Sequence, residues 1–508
     1  MGMTSNLFII FLLICVVIYY LVPGKYQWAV LLSASFAYYL AESIPAAFFL
    51  VYTICVSYGC ARVTESIIES SESRKQGKKK ARKILILCMV LDFGMLGILK
   101  YTNFILGSLG HLFRTNMPLL NLLLPLGISY YTFQSVGYML DVYWGREKAE
   151  KNILRYALFL AWFPQLVQGP IGRAGRLMPQ LNSAHRFDGV RTKRALERIV
   201  WGLAKKMILA DWAAVYRTAI FNDPDRFSGI AVFGLLMYTV ELYGNFSGGI
   251  DVMLGVSELF GVTLDENFRQ PFLAVSLSNF WQRWHITLGT WMKDYVMYPL
   301  TLSSCMSKLG KWSRKTFGKK KGRLIPACIS NLIVFFLVGL WHGASWNNIG
   351  WGLYNGVIIA FSTLFAEEYT KTKKFLHIND QSTPYHIFMV LRTFILINIS
   401  WYFDCVDSFG TAMKMMKYSV TQFAPSQLLT ISSGKLGTAY TPTALAILGV
   451  GCLIMFVTGL IKEKGVNIPE KFSELPLAAE FAVFALLIIC IPICAPMAEA
   501  RGFLYAQF

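Results

Sequence analysis

Charged side chains are scarce in this sequence. Of its 508 residues only 15% are Asp, Glu, Lys or Arg, against roughly 25% in a soluble globular domain. Acidic residues are scarcest, 29 against 48 Lys and Arg. The ten cysteines form no CxxC pair and no metal-ligand spacing. Cys15, Cys55, Cys88, Cys328, Cys452 and Cys490 fall inside apolar runs, where a thiol packs as a small apolar group, so no metal site is expected. There is no serine nucleophile elbow, no P-loop and no HExxH pair. The glycine-rich run Gly244 to Gly255 has no strand before it and reads as helix-packing or helix-break positions. The run Leu7 to Leu21 has no basic segment ahead of it and no small-x-small cleavage site behind it, so a retained first span is expected.

What the chain has instead is apolar length. Hydrophobic residues make up 55% of it, and the mean hydropathy is +0.47. About a dozen segments approach the ~20 residues that cross a bilayer as a helix. The expected fold is all-α: a polytopic transmembrane helix bundle of about 11–13 spans with re-entrant and interfacial helices. The net charge of +19 sits in short stretches between apolar runs, namely Arg74 to Lys83, Arg173 to Arg198, Lys308 to Arg323 and Lys371 to Lys374. That is the pattern of cytoplasmic loops facing anionic headgroups, and it argues for the lipid bilayer as partner and against nucleic acid.

Spans are expected near 5–22, 26–42, 45–63, 84–110, 117–140, 195–218, 230–247, 325–342, 343–366, 385–404, 441–461 and 477–497. With the basic stretches inside, both termini lie outside. The run 153–170 has basic residues on both sides and contains Pro164, Gly169 and Pro170; a re-entrant element fits it better than a crossing. The stretch 263–300, rich in Trp, Arg, Asp and His and bracketed by Pro271 and Pro299, is expected as an amphipathic interfacial helix. The Ser/Thr/Gly-rich stretch 419–440 is expected as an outside loop. No internal repeat is evident, which weighs against a transporter built on inverted repeats.

Ionisable groups in membrane segments are costly, so each is a candidate site. Two regions stand out. In Asn279 to Leu288 a helix would put Trp281 and His285 on one face with Leu288 and Met292, and Arg283 elsewhere near Asn279 and Gln282. An interfacial aromatic belt with a snorkelling Arg explains the tryptophans; it explains a histidine on their face less well. In Gly339 to Trp346, an almost wholly apolar run ends in His342. An imidazole suits general acid–base work near neutrality, and Gly339 and Gly343 on one helix would leave room for another backbone or a substrate. A buried histidine bonded to a neighbouring helix explains the same residues, and they leave the two readings open.

These residues resemble a known family, the membrane-bound O-acyltransferases. The resemblance is carried by Tyr243-Gly244-Asn245-Phe246-Ser247-Gly248-Gly249-Ile250-Asp251, by Glu266-Asn267-Phe268-Arg269-Gln270-Pro271-Phe272 and by Phe280-Trp281-Gln282-Arg283-Trp284-His285. Gly339-Leu340-Trp341-His342-Gly343-Ala344 is similar to the family's second histidine motif, and Gln168-Gly169-Pro170-Ile171-Gly172-Arg173 to its re-entrant element. The tail Phe503 to Phe508 looks like that of the alginate O-acetyltransferase membrane subunit, which points to the bacterial polysaccharide O-acetyltransferase branch. That branch usually reads Tyr-Phe-Asp-Phe-Ser-Gly-Tyr-Ser-Asp in the first stretch. Here Gly244, Asn245, Gly249 and Ile250 depart from it while Asp251 is retained, which bears on substrate identity and not on the histidines.

The resemblance implies a single membrane-embedded domain over 1–508, with a catalytic core of about 120–366, N-terminal spans in 1–110 and C-terminal spans in 385–508, around a central tunnel. It implies His342 as the catalytic base and His285 in the same tunnel, with Asn245, Asp251, Trp281, Arg283, Trp284, Trp341, Gln168 and Arg173 as lining or substrate-contacting positions. No tightly bound cofactor is implied; acetyl-CoA or another acyl thioester is the donor substrate. The acyl group passes to a hydroxyl of an exported polysaccharide, or to a secreted SGNH-type partner transferase, at the bacterial inner membrane. Positive-inside topology accounts first for the basic stretches near 173–198 and 308–323; binding of CoA phosphates is the second reading. The alternatives are a D-alanyl or other acyl transferase fed by a carrier-protein thioester, and a transporter or flippase without covalent chemistry.

Overall fold

The computed structural model describes residues 2–406, 408–432 and 441–496. Among them every regular element is helical, and one isolated antiparallel bridge joins Phe268 to Trp284. The chain divides into two compact units, Met1–Gly202 with Gly249–Asp265 and Leu203–Gly248 with Glu266–Arg501.

The first unit opens with α1 (Asn6–Leu21), α2 (Gln27–Glu42), α3 (Ile44–Glu69) and α4 (Arg74–Phe113). Ser5, Ser43 and Ser73 cap α1, α3 and α4 by accepting from the N–H of Phe8, Ala46 and Gln76, which satisfies donors that a helix start leaves orphaned. Helix α5 (Ile128–Trp144) is buried on every side from Ile128 to Met139, so it is a core helix rather than an amphipathic one. Gly127 (φ 70°) and Gly145 (φ 76°) bound it in the left-handed region, which glycine enters without strain. Helix α1, by contrast, leaves Leu7, Ile10, Leu13 and Ile14 exposed, an apolar face suited to lipid.

The run expected as re-entrant is broken. Helix α6 (Ile153–Ala161) ends at Trp162, and α7 (Phe163–Gln168) has Pro164 in its first turn and stops at Gly169. Everything from Tyr156 to Pro170 is buried, as non-helical backbone at membrane depth requires. Its polar groups find partners in the same unit. Tyr156 Oη donates to Ser57 Oγ at 2.7 Å, the Phe163 N–H to Ser35 Oγ at 3.2 Å, and Trp162 Nε1 to Ser257 Oγ at 3.2 Å. Helices α8 (Ala174–Leu181) and α9 (Gly189–Ala204) follow.

A π-helical segment, Lys205–Ala210, leads into α10 (Asp211–Asn222) and then α11 (Ala231–Leu259). Helix α11 runs on past the span expected at 230–247 because its glycines pack rather than break it. A Cβ at Gly244 would fall 2.9 Å from the Lys205 carbonyl oxygen.

The stretch 263–300 is not one interfacial helix. It breaks into a 3-10 turn at Pro271–Leu273, α12 (Leu277–Trp281), α13 (Ile286–Met292) and a π turn at Lys293–Met297. Two residues in the left-handed region, Gln270 (φ 40°) and His285 (φ 49°), interrupt it.

Helix α14 (Ser304–His342) takes in the basic stretch expected as a loop. At Gly318 (φ 78°) the chain folds back, so that Ser313 Oγ donates to the Gly322 carbonyl at 2.7 Å. Then come α15 (Trp346–Leu364), α16 (Ala366–Phe375), α17 (Thr383–Trp401), α18 (Phe409–Thr421), α19 (Pro442–Glu463) and α20 (Leu477–Cys494), with short unlabelled helices at Gln427–Ser432 and Ile468–Ser473. Helices α14 and α15 are in backbone contact: a Cβ at Gly339 would fall 2.4 Å from the Asn348 carbonyl oxygen, and one at Gly352 2.3 Å from that of Phe335. Small residues permit this approach between membrane helices.

By length and composition, α3, α4, Ser228–Leu259, α14 and α19 can each cross a membrane, and α15 with α16, bent by 61°, form a further candidate. Helix α1 and Ala478–Cys494 are apolar but shorter. The architecture is a polytopic membrane helix bundle. Residues 433–440 of the Ser/Thr/Gly-rich stretch, and the tail Phe503 to Phe508, lie outside the described residues.

Candidate functional site

Helix α14 ends on His342, because Gly343 leaves it with extended backbone (φ −177°) and Ser345 at once caps α15, accepting from the Asn348 N–H at 3.2 Å. The histidine therefore stands at a tight helix–helix turn, and it is buried. Its ring packs against Trp351 at 4.7 Å and Trp341 at 4.9 Å between centroids, steeply tilted to both. The space expected beside Gly339 and Gly343 is taken up by protein: the α15 backbone meets Gly339, and the Asn348 side-chain amide meets Gly343.

The second histidine reaches the same place by another route. Trp281 and His285 do not share a helix face, since α12 stops at Trp281 and α13 begins after His285. The break has a cause upstream. The Asn267 carbonyl accepts the Ile286 N–H at 3.0 Å, and the Arg269 N–H donates to the Arg283 carbonyl at 2.9 Å. Asn267 Oδ1 takes the N–H of Thr287 at 3.0 Å and its hydroxyl at 2.9 Å, and lies 3.3 Å from His285 Nδ1. These bonds satisfy the first N–H groups of α13 from outside the helix. The His285 ring is 4.9 Å from Phe246, edge to face, and 5.8 Å from Trp341. Burial first, and the charge of His342 second, hold its pKa well below the usual imidazole range.

The second unit thus brings together His285, Trp341 and His342, with Phe246 and Trp351 completing the aromatic enclosure. The other expected residues divide. Trp281 donates from Nε1 to Asn355 Oδ1 at 3.3 Å and packs edge-on against Trp351. Trp284 stacks on Phe280 at 5.5 Å and meets Phe268 at 5.0 Å, so it anchors the loop. Arg283 forms a bidentate pair with Glu463 of α19, both bonds 2.8 Å, and also binds Asn279 Oδ1 at 3.1 Å. Asn245 is buried on α11, next to Phe246.

Gln168, Arg173 and Asp251 belong to the first unit. Asp251 is paired with Arg198 at 2.9 Å. Arg173 is half-buried at the start of α8. Gln168 is buried, and a Cβ at Gly249 would fall 2.3 Å from its Oε1; the glycine standing where the related pattern has tyrosine leaves room for this amide. A cavity of about 270 Å³ in the same unit is lined by Gln165, Gly172, Arg176, Gln180 and Asp265 among others. Among the described residues no group of three His, Cys, Asp or Glu is placed to hold a metal ion.

Asn267, Trp351 and Glu463 were not expected at this site. Only Asn267 had a signal, its place in the stretch Glu266 to Phe272, and nothing local tied it to His285.

The arrangement offers two buried imidazoles enclosed by aromatic rings. A neutral imidazole in such surroundings is a base sheltered from water.

Residues 146–403 match the model of the MBOAT, membrane-bound O-acyltransferase family. The chain is 29% identical to the probable alginate O-acetylase AlgI of Azotobacter vinelandii, over 89% of this chain and 85% of that protein. It is 32% identical to a peptidoglycan O-acetyltransferase of Helicobacter pylori, over 66% and 64% of the two chains. It is 29% identical to a teichoic acid D-alanyltransferase of Bacillus subtilis, over 56% and 69%.

Proposed function

The chain belongs to the membrane-bound O-acyltransferase family and is a multi-pass O-acyltransferase, and we propose that it moves an acetyl group from a cytoplasmic thioester, acetyl-CoA, to a hydroxyl of an exported cell-envelope polysaccharide. The observation that carries this reading is the convergence of His342 and His285 on the Trp341 ring in one buried enclosure. In the proposed reaction His342 is the general base. It takes the proton of the acceptor hydroxyl as that oxygen attacks the thioester carbonyl. The tetrahedral intermediate collapses with loss of the C–S bond, and the imidazolium returns the proton to the departing thiolate. Such a base supplies roughly 10²–10⁴-fold. The thioester is reactive enough that activating the hydroxyl and excluding water complete the task.

The polysaccharide acceptor is supported by the names of relatives that act on alginate and on peptidoglycan. A secreted SGNH-type transferase that receives the acetyl group first fits the same chemistry. The donor reaches the histidines through a tunnel from the inner face of the bacterial inner membrane, and both termini lie outside. D-alanyl transfer is the second reading, favoured by the similarity to a teichoic acid D-alanyltransferase; acetyl transfer is preferred because similarity to the alginate O-acetylase covers far more of this chain.

The test is His342→Ala, with acetyl esters on the envelope glycan measured in cells. Loss of the ester at normal protein level is expected. Unchanged acetylation at that level overturns the proposal, and mass spectrometry of the polymer separates acetyl from D-alanyl.

A further inference from the structure

Resting on the reading that the paired histidines form the acyl-transfer site, we infer that Asn267 fixes the tautomer of His285, so that His285 meets the reacting groups through Nε2 as a hydrogen-bond acceptor and not as a donor. The argument starts from a backbone group. The Thr287 N–H points at one atom of the Asn267 amide from 3.0 Å, and the Thr287 hydroxyl lies 2.9 Å from the same atom. A backbone N–H is always a donor, so that atom is the amide oxygen; turning the amide over would set two donors face to face. His285 Nδ1 lies 3.3 Å from the same oxygen. Two acceptors do not face each other at that distance, so Nδ1 carries the ring hydrogen. A neutral imidazole has one such hydrogen, and Nε2 is left with its lone pair.

The surroundings leave this assignment no slack. The Ile286 N–H on the Asn267 carbonyl and the Phe268–Trp284 bridge lock the register of the two segments. His285 is held at φ 49°, ψ 51°, a conformation a non-glycine residue keeps only where its neighbours over-determine it. Phe246 and Trp341 pack on the ring. Asn267 is buried, and its amide nitrogen has no hydrogen-bond partner among the described residues; the side chain is held by its oxygen end alone. His342 is the titratable group whose charge acts on His285, and burial disfavours the charged form of the His285 ring.

Asn267 is thus a positioning residue. An acceptor at Nε2 suits a substrate hydroxyl or a proton passing to or from His342. It does not suit the oxyanion of the tetrahedral intermediate, which needs donors; that charge must be met by other groups.

The experiment is nitrogen-15 NMR of histidine-labelled full-length protein in lipid nanodiscs, with His285→Gln identifying the signal. A protonated Nδ1 and an unprotonated Nε2 at neutral pH are expected. A ring protonated at Nε2 overturns the inference. This readout needs no turnover, so it fails independently of the acyl-transfer reading, which His342→Ala tests. Two variants add kinetics, with acetyl-CoA as probe and release of free CoA as the signal. Asn267→Asp sets a carboxylate against Nδ1, stabilises the imidazolium, and moves the acid limb of the kcat/KM profile upward by about 1–3 pH units. Asn267→Leu removes the acceptor, frees the tautomer, and lowers kcat on the order of 10²-fold or more with KM changed less. An unchanged profile and unchanged kcat in both variants overturn the inference. Where the variants fail to fold, the wild-type spectrum still decides.

Discussion

His342 rides on the last turn of α14, while His285 sits in a gap between two short helices. The first is placed by backbone packing. Gly339 and Gly352 bring α14 and α15 into contact, and two indole rings enclose the imidazole. The second is placed by hydrogen bonds reaching back to Asn267, in a left-handed conformation that α13 alone would not adopt. The contrast teaches that position and protonation are separable requirements. A helix end sets where a ring stands but leaves its tautomer open. A side-chain amide sets the tautomer but needs a rigid loop to present it.

The largest effect expected from breaking this comparison is in turnover. His342→Ala should lower acyl transfer by about 10²–10⁴-fold, and His342→Gln, which keeps more of the packing between Trp341 and Trp351, should lower it as far with the melting midpoint nearer wild type. A large fall in thermal stability would instead make His342 a structural residue. Next is Gly352→Leu. Its Cβ would meet the Phe335 carbonyl, which is backbone and cannot swing away, so a loss of about 1–3 kcal/mol is expected. Thermal unfolding in detergent and turnover should fall together; a normal melt would refute close packing as the device that seats His342. On the other side of the comparison, Thr287→Val deletes the hydroxyl bond to Asn267 and keeps the backbone one. About 1 kcal/mol is expected, with the His285 tautomer unchanged in the NMR spectrum. The smallest effect belongs to Glu463→Gln. Arg283 and Glu463 are 17% and 36% exposed at the side chain, so breaking their pair should cost no more than about 1 kcal/mol and less at high salt. A larger loss would mean that α19 holds the histidine loop in place.

Much of the helical framework was legible in apolar run length. The broken element 153–170 was legible too, because Pro164, Gly169 and Pro170 cannot continue a helix and the flanking charges cannot cross. The convergence of the two histidine motifs was legible only through family resemblance. The break between Trp281 and His285 was not legible, because residues 277–292 have acceptable helical spacing and the competing bonds come from Asn267, in a separate stretch of chain. Periodicity weighs near neighbours and has no term for such a competitor. The basic stretch 308–323 was misread as a loop for a related reason. Charge marks a side of the membrane, but Lys and Arg are good helix formers, so the stretch is helical on both sides of a reversal at Gly318.

By itself the sequence determined the solvent of this protein: too little charge, too much apolar length, and a few breakers placed where a bilayer forces backbone groups to pair internally. It also determined where α14 ends, since Gly343 and a Ser345 cap close one helix and start the next. Tertiary structure alone decided which histidine nitrogen carries hydrogen, how near α14 comes to α15, and that Arg283 turns to Glu463. Those outcomes depend on groups far apart in the chain meeting within a few ångströms, and hydrogen bonds and steric contacts act only at that range.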